Sequence, residues 1–346
     1  MPEHDVICIG ASAGGVGALA KLVQGLPADI PAAFFVVLHV LPKSPSMLPE
    51  ILSRSGKLPA THPEDHTPIE YGHIYIAPPD HHLILERGYI RVIRGPKENR
   101  HRPSIDVLFR SAASAYGPRA VGVVLTGALD DGTAGLLALK RCGDTAIVQD
   151  PADAAYPDMP RSAIAHVAVD YILPLAPIVH EIVNLAYTEV DERMEQPVPK
   201  DIQNEVAQAK MELAHQKDDI RVGTPSQYSC PECGGVLWEI QDGKLLRFRC
   251  RVGHAFTVDS MMAEQSDAIE EAMWTALKVL EEQASISRKM AEQARQNGRT
   301  WMARRFEERQ HEAEKRVDLL VSALQKSETV ISTVEDDDIP QEKSVS

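Results

Sequence analysis

The chain has 346 residues, of which 44% are hydrophobic, and carries a formal net charge of −14 at pH 7. Its length exceeds one typical domain, and the acidic balance argues against nucleic acid as the main partner, because phosphate binding needs clustered Lys and Arg. No apolar run approaches the roughly 20 residues that span a bilayer, and no signal-peptide pattern begins the chain, so we expect a cytoplasmic protein without membrane insertion.

Short apolar runs in the first half of the chain predict buried strands of a parallel sheet. The clearest are Asp5–Gly10, Ala33–Leu38 and Ala120–Leu125, and a helix-like segment follows each run. A hairpin is predicted for His82–Glu86 and Tyr89–Ile93. Strand-like and helix-like patterns alternate to about residue 185, which indicates a doubly wound, mostly parallel α/β sheet with helices on both faces. We assign residues 1–187 to this domain.

The composition changes after this domain. Residues 188–227 are mostly charged and polar, with a weak helical pattern near Ile202–Ala214, and we predict a linker.

A cysteine–histidine cluster follows within residues 228–259. Cys230 and Cys233 form a CxxC turn, and Cys250 and His254 follow a predicted hairpin that turns at Asp242-Gly243. Closed four-ligand sets of this kind are typical of structural zinc sites, so we predict Zn²⁺ in a zinc-ribbon-like module. Reduced thiols beside an unrelated histidine are the alternative. We expect metal removal to loosen residues 228–260 and to leave the rest of the chain's chemistry intact.

Two long helical patterns fill residues 260–330 and meet at Asn297-Gly298, which predicts an antiparallel helical hairpin. In the first pattern, Ile269, Met273, Ala276 and Leu280 fall on one face. Such faces serve internal packing, self-association or contact with a partner's helices. Residues 331–346 are predicted to form an acidic, disordered tail.

Three residues suited to acyl transfer follow the three predicted strands: Ser12, His39 and Asp131. The carboxyl ends of parallel strands gather at one edge of a sheet, where ligands bind. A serine needs a base within hydrogen-bond reach, and the base needs an acceptor that fixes its tautomer. The pattern therefore predicts a serine hydrolase whose catalysis needs no cofactor.

Other interpretations of these loops remain open. The glycine-rich loop around Ser12 is also compatible with phosphate binding or a structural turn, although both common phosphate-loop patterns differ from it at Ser12 or Val16. His39 is suited to a structural role, and Asp130 to a metal ligand or helix cap. Competing bases are His62, His66, His81 and His82.

Five linked motifs resemble the chemotaxis protein-glutamate methylesterases, the CheB family, over residues 5 to about 185. The motifs are Ile9–Gly15, His39-x-x-Pro42, Arg102–Phe109, Leu125–Gly132 and Met159-Pro160. The resemblance implies hydrolysis of glutamate γ-methyl esters on chemoreceptors, with release of methanol, and in many members deamidation of glutamines. It places the family's serine, histidine and aspartate on Ser12, His39 and Asp131.

The chain departs from the family pattern in ways that bear on substrate choice and regulation. The family commonly has threonine at Ala13 and methionine at Ala128, so we place the oxyanion and substrate pocket at Ala13, Gly14 and Ala128 with an altered shape. The receiver domain that usually precedes the catalytic domain is not expected, because the first strand begins at Asp5. Two other function classes stay open: a non-catalytic signalling adaptor of the same fold, and a small-molecule serine esterase.

Overall fold

The structure is a computed structural model that describes residues 3–42, 45–190, 197–211 and 223–334, with residues 327–334 described by their backbone only. The acidic tail predicted from residue 331 lies outside the described residues from residue 335 onward. In chain order, the first elements are β1 (Val6–Ala11), α1 (Gly15–Gln24), β2 (Ala33–Leu38), α2 (Leu48–Ser55), β3 (Ala60–Thr61), β4 (Thr67–Pro68), β5 (Ile74–Ile76), β6 (His82–Glu86), β7 (Tyr89–Ile93), α3 (Ile105–Tyr116), β8 (Ala120–Val124), α4 (Thr133–Arg141), β9 (Thr145–Gln149), α5 (Asp158–His166), β10 (Tyr171–Leu173), α6 (Leu175–Ala186) and α7 (Lys200–Ala209).

A seven-stranded parallel sheet forms the centre of this part, in the order β10-β9-β8-β1-β2-β5-β3. The prediction of an α/β fold with a mostly parallel sheet is confirmed. The chain moves outward from β1 to one side through β2 and to the other side through β8. Loops that follow β1 and β8 therefore border a topological switch point, where ligands bind in folds of this kind.

Both faces of the sheet are covered, because the side chains of each strand alternate between two apolar layers. Ile7 and Ile9 of β1 join a core cluster with residues of α1, α2 and α6. Val6 and Cys8 join a second cluster with residues of α3, α4 and α5. The predicted hairpin also forms: β6 and β7 pair antiparallel, with β4 alongside.

A second, antiparallel sheet follows, in the order β11-β12-β13-β14. Its strands are β11 (Thr224–Ser229), β12 (Val236–Asp242), β13 (Leu245–Cys250) and β14 (Ala255–Thr257). Residues 223–262, which contain these strands, are called the ribbon module below. They belong to one compact unit with the parallel sheet, and this unit ends at Met262.

The segment predicted to be a linker contains regular secondary structure, namely helix α7 and the first residues of β11. Helix α7 packs against α3, and its residues Ile202 and Glu205 are buried, while β11 begins at Thr224. Residues 191–196 and 212–222 of the predicted linker lie outside the described residues. Composition alone did not reveal this packing, because α7 is anchored by ionic contacts as much as by apolar side chains.

Two long helices, α8 (Val258–Gln296) and α9 (Thr300–Val334), complete the described chain, and residues from Ala263 onward form a second compact unit. Arg288 of α8 and Glu314 of α9 lie 3.2 Å apart, as expected of an antiparallel pair. Small side chains are buried here, among them Ala284 and Ala291, whereas Ile269 of the predicted apolar face is 62% exposed. In the described ranges, no helix combines the length and apolarity needed to cross a bilayer.

Candidate active site

Ser12 follows β1 in a tight turn against the end of β8. Its backbone N–H donates to the Thr126 carbonyl over 3.0 Å, and Gly14 adopts the left-handed φ of 73° that opens α1. Gly127 approaches so closely that a Cβ there would lie 2.8 Å from the Ser12 Cβ and 2.0 Å from the Met159 sulfur. The sequence selects small residues on both sides of the switch point, and the half-buried serine is held between them.

His39 brings the predicted residues together. It follows β2, and its Nδ1 lies 3.1 Å from Ser12 Oγ. Its Nε2 lies 2.8 Å from Asp131 Oδ2. The imidazole is 6% exposed and the carboxylate 1% exposed, so water is largely excluded from their contact.

Asp131 is surrounded by donors at the N-terminus of α3. Its Oδ2 accepts from the Ile105 backbone N–H over 2.7 Å, and its Oδ1 accepts from Ser104 Oγ over 2.9 Å and from Asn99 Nδ2 over 3.0 Å. The positive end of the helix dipole faces the same carboxylate. Ser104, at the N-cap of α3, uses its hydroxyl for Asp131 and makes no side-chain cap bond to its own helix.

The protonation states follow from these contacts. Burial alone would raise the pKa of the Asp131 carboxyl, but the hydrogen bond and charge of His39 and the Ile105 N–H hold that pKa well below its usual range. Because a carboxylate can only accept, the proton on His39 belongs on Nε2, which leaves Nδ1 as an acceptor directed at the Ser12 hydroxyl. The arrangement can move a proton from serine to imidazole while the aspartate stays ionised.

Two further residues of this site were missed from the sequence. His101 stacks on His39 with ring centroids 3.6 Å apart, and burial together with the neighbouring His39 lowers the pKa of His101 to about 3, so its ring is neutral. Asn99 holds Asp131 as described above. His101 directly precedes the Arg102–Phe109 motif and Asn99 lies two residues before His101, and this proximity to the motif was the available signal.

Two aspartates near Asp131 have raised pKa values. Asp106 accepts hydrogen bonds from the backbone N–H groups of Gly132 and Gly135 at the start of α4, and burial and the charge of Asp131 raise its pKa to about 8. Asp130 is buried with Oδ1 unpartnered, and burial raises its pKa to about 7. Of the two adjacent aspartates, Asp131 is the one that contacts His39.

The competing histidines bond elsewhere. His82 is fully buried, with Nε2 2.8 Å from the Pro96 carbonyl and Nδ1 accepting from the Ser104 N–H. His62 contacts the Ile76 carbonyl, and His81 that of Pro79. His66 lies 3.5 Å from Asp65 on the surface. Of all the candidate bases, His39 is the one that contacts Ser12.

The predicted pocket residues lie beside Ser12. Among described residues, the backbone N–H groups of Ala13 and Ala128 have no hydrogen-bond acceptor. Ala128 is exposed, one residue beyond the close contact between Gly127 and Ser12. A cleft of about 360 Å³ adjoins this loop and is lined by residues that include Gly14, Thr126 and Ala155.

The cysteine–histidine cluster assembles in the ribbon module, where the ligand atoms of Cys230, Cys233, Cys250 and His254 all lie within 4.8 Å of one another. His254 Nδ1 is 3.7 Å from Cys230 Sγ and 3.6 Å from Cys250 Sγ, and the Cys233 and Cys250 sulfurs are 3.7 Å apart. A tetrahedral Zn²⁺ with its usual bond lengths requires about 3.8 Å between sulfurs and about 3.6 Å between sulfur and nitrogen. The donor set therefore fits zinc in both chemistry and spacing.

Comparisons with known proteins agree on the first half of the chain. The model of the CheB methylesterase family matches residues 7–182. A protein-glutamate methylesterase/protein-glutamine glutaminase of Hydrogenovibrio crunogenus is 41% identical over 189 residues, which are 53% of this chain and 50% of that protein. A putative enzyme of the same description from Leptospira interrogans is 36% identical over 192 residues, or 55% of this chain and 100% of that protein.

A solved structure resembles the same part. The Thermotoga maritima CheB methylesterase catalytic domain matches with a TM-score of 0.51 at 32% identity, covering 52% of this chain and 98% of that one. The chain spans about half the length of the first curated relatives it matches. With the family model covering half of the sequence and the Leptospira relative covered in full, the chain belongs to the CheB methylesterase family.

Proposed function

We propose that the chain is a serine-type carboxylic ester hydrolase that removes methyl groups from glutamate γ-methyl esters of proteins. The observation that carries the proposal is the chain of two hydrogen bonds that links Ser12, His39 and Asp131. Ser12 Oγ lies 3.1 Å from His39 Nδ1, and His39 Nε2 lies 2.8 Å from Asp131 Oδ2. Membership of the family and the names of its relatives support the choice of ester.

Acylation begins when Ser12 Oγ attacks the ester carbonyl carbon and its proton passes to His39 Nδ1. The imidazolium that forms is stabilised by Asp131, which remains ionised because of the donors around it. His39 then gives that proton to the methoxy oxygen, the carbon–oxygen bond breaks, and methanol leaves. A glutamyl ester on Ser12 remains.

Deacylation repeats the proton transfers with water. His39 takes a proton from the attacking water, the bond to Ser12 Oγ breaks, and the proton returns to the serine. The products are the free enzyme and a glutamic acid side chain, which becomes a carboxylate by releasing one proton to solvent, so each turnover consumes one water. A glutamine side chain reacts in the same way with ammonia as the leaving group, which is the second activity named for the relatives.

The developing oxyanion is assigned to the unused backbone N–H groups of Ala13 and Ala128. Removing one oxyanion donor typically lowers the catalytic rate 10²- to 10³-fold. The position of these backbone N–H groups therefore affects the rate more than the identity of the side chains at residues 13 and 128. Alanine at both positions keeps the donors and widens the pocket. We expect the chain to accept side chains next to the methyl ester that a bulkier pocket would reject.

The proposed partners and setting follow from the same chemistry. The substrate is a methyl-accepting chemoreceptor or related signalling protein, and the reaction takes place in the cytoplasm, where reduced cysteines such as Cys8 and Cys142 persist. The ribbon module is proposed to hold one structural Zn²⁺ on Cys230, Cys233, Cys250 and His254. A closed set of four protein ligands leaves no open position, so the ion supplies folding free energy to this module.

One comparison of substrates tests the proposal against its alternatives. The full chain is incubated with a methylated chemoreceptor cytoplasmic fragment, and released methanol is quantified beside turnover of a p-nitrophenyl ester. We expect methanol release with a kcat/KM well above that for the small ester. Turnover of the small ester alone would indicate a small-molecule esterase, and binding of the receptor fragment without any hydrolysis would indicate an adaptor.

A further inference from the structure

The segment Lys97–His101, called the brace segment here, lies between the triad and the ribbon module. It carries Asn99, which bonds to Asp131, and His101, which stacks on His39. Asn99 and Arg100 adopt left-handed φ angles of 47° and 72°. Residues other than glycine hold such angles at a cost, and they persist where surrounding contacts fix them.

Strand β14 of the ribbon module fixes the backbone of the brace segment. The Asn99 N–H donates to the Ala255 carbonyl over 2.8 Å, and the Ala255 N–H donates to the Lys97 carbonyl over 3.3 Å. Ala255 directly follows His254, one of the cluster ligands. Cys250, a second ligand, ends β13, and its N–H donates to the His254 carbonyl over 2.9 Å. The cluster therefore sets the position of the residue that holds the brace segment.

The side chain of Asn99 forms a second connection between the catalytic triad and the ribbon module. Its Nδ2 donates to Asp131 Oδ1 over 3.0 Å and to Asp106 Oδ2 over 2.8 Å. Its Oδ1 accepts from the Thr257 N–H over 3.1 Å and from Ser260 Oγ over 3.2 Å. Asn99 is 3% exposed, so the loss of a hydrogen-bond partner on either side leaves a buried polar atom unsatisfied.

Buried ion pairs lock β13 onto the parallel-sheet part. Arg249 donates to Glu98 over 2.9 Å and to Glu205 over 2.7 Å, and Arg247 donates to Glu205 over 2.9 Å. Arg110 of α3 pairs with Glu98, and the side chains of all these residues are at most 6% exposed. Burial alone would raise the pKa of Glu98, but Arg110 and Arg249 lower it, so the carboxylate stays charged.

The ribbon module has only a small apolar core of its own. Its apolar core cluster is Cys230, Leu237, Phe248, Cys250, Phe256 and Met261, and it includes two of the cluster's own ligands. A core of that size contributes little stability by itself, so a metal bound by its cysteines would add substantially to the shape of the module.

We propose that Zn²⁺ in the Cys₃His cluster is a positioning element for the catalytic triad: it holds β14, which holds the brace segment, which orients Asp131 and His39. Asn99 is the positioning residue of this connection. The inference rests on the proposed function and replaces the expectation that metal removal leaves the triad undisturbed. Loss of the metal lowers kcat and leaves KM nearly unchanged, because the substrate cleft beside Gly14 is built from the parallel-sheet part.

The test compares zinc-loaded and chelator-treated full chain by two readouts. Amide hydrogen exchange is followed in peptides that cover the brace segment and β14, with peptides from β1 and β8 as internal references. Turnover of a p-nitrophenyl ester gives kcat and KM. On zinc removal we expect exchange in the brace segment to rise at least tenfold, kcat to fall about tenfold, and exchange in β1 and β8 to stay unchanged.

A variant of Asn99 distinguishes a positioning role of zinc from a general destabilisation of the chain on metal removal. Asn99→Gly keeps the left-handed backbone accessible and removes the amide, so kcat falls in the zinc-loaded variant, and the further effect of zinc removal on kcat shrinks to about twofold to threefold. The control Asn184→Ala, on the exposed face of α6, keeps the full tenfold effect.

Two results would overturn the inference: exchange in the brace segment that does not respond to zinc removal, or a full zinc effect that persists in Asn99→Gly. Failure of the proposed function looks different. A zinc-loaded chain without ester turnover contradicts the proposed hydrolase, whereas the hydrogen-exchange response still reports whether the module holds the brace segment.

Discussion

Two regions of this chain gather reactive side chains from distant positions, and they do so by different physical means. The edge of the parallel sheet places Ser12, His39 and Asp131 with strands buried on both faces. The ribbon module places its cysteines and His254 with a small antiparallel sheet, a few apolar side chains and buried ion pairs. The first region is held together by its own apolar packing. The second is proposed to depend on a bound zinc ion, and this contrast predicts how each region should respond to substitution.

The largest effect is expected at the nucleophile. Ser12→Ala removes the attacking oxygen while the strands around it keep their packing, so ester hydrolysis should fall about 10⁴-fold with an unfolding midpoint within about 1 °C of wild type. Turnover and thermal unfolding are measured on the same samples, with Ser55→Ala as the matched control. Near-normal turnover in Ser12→Ala would remove Ser12 from the mechanism.

The adjacent aspartates provide the next comparison. Asp131→Asn replaces the acceptor that orients His39, and turnover should fall about 10³-fold or more. Asp130→Asn changes the neighbouring carboxyl, which does not hydrogen-bond to the imidazole, and turnover should stay within about threefold. Steady-state kinetics of the two variants measure this difference in turnover. Equal losses would mean that the contact between His39 and Asp131 is not what distinguishes them.

Two cysteines test the contrast between the regions themselves. Cys233→Ser removes a proposed zinc ligand, so bound zinc should fall from about one ion per chain to nearly none, and turnover should fall about tenfold through the brace segment. Cys142→Ser changes a buried cysteine of the parallel-sheet part and should keep the zinc. Metal analysis and kinetics are run side by side. Retention of one zinc by Cys233→Ser would exclude the proposed ligand set.

The smallest effect on turnover, but a clear effect on stability, is expected at Asp130. Its pKa of about 7 in the folded chain lies above the ordinary value of 3.8, so the folded state holds this proton more tightly than the unfolded state. The free energy of unfolding should therefore fall as pH rises from about 4 to 7 and stay reduced above that range.

Asp130→Asn removes this penalty. Relative to wild type, the variant should gain about 2–4 kcal/mol in the free energy of unfolding between pH 4 and pH 8. Urea unfolding at both pH values measures the difference, with the exposed Asp29→Asn as the control. A constant difference between Asp130→Asn and wild type would show that Asp130 is ionised in the folded chain.

The sequence predicted the parallel-sheet region well because its signals are local. Continuous apolar runs identify buried strands, and the loop after each run carries the polar residue that reaches the shared edge. His101 and Asn99 escaped prediction because neither continues a periodic pattern. Their positions depend on a left-handed turn and on β14, which lies more than 150 residues away in the chain.

The contacts made by the later part of the chain were harder to predict from the sequence, for related reasons. The CxxC spacing and the hairpin turn located the cysteine–histidine cluster. The buried pairs of Glu98 and Glu205 with Arg247 and Arg249, however, look like ordinary surface charges in a sequence. In α8, the predicted apolar face was right in part: Met273 and Leu280 are half-buried, whereas Ile269 and Ala276 are exposed. Buried alanines such as Ala284 let two helices approach closely, and this signal is weaker in sequence than a stripe of leucine or isoleucine.

The most direct measurement of the central claim is covalent labelling with a fluorophosphonate, which reacts with a serine only when a neighbouring base activates it. Mass spectrometry should find one label per chain, on the peptide that contains Ser12, and His39→Ala should slow its formation at least 100-fold. A label on another serine, or an equal rate in His39→Ala, would contradict the assignment of Ser12, His39 and Asp131 as one catalytic unit.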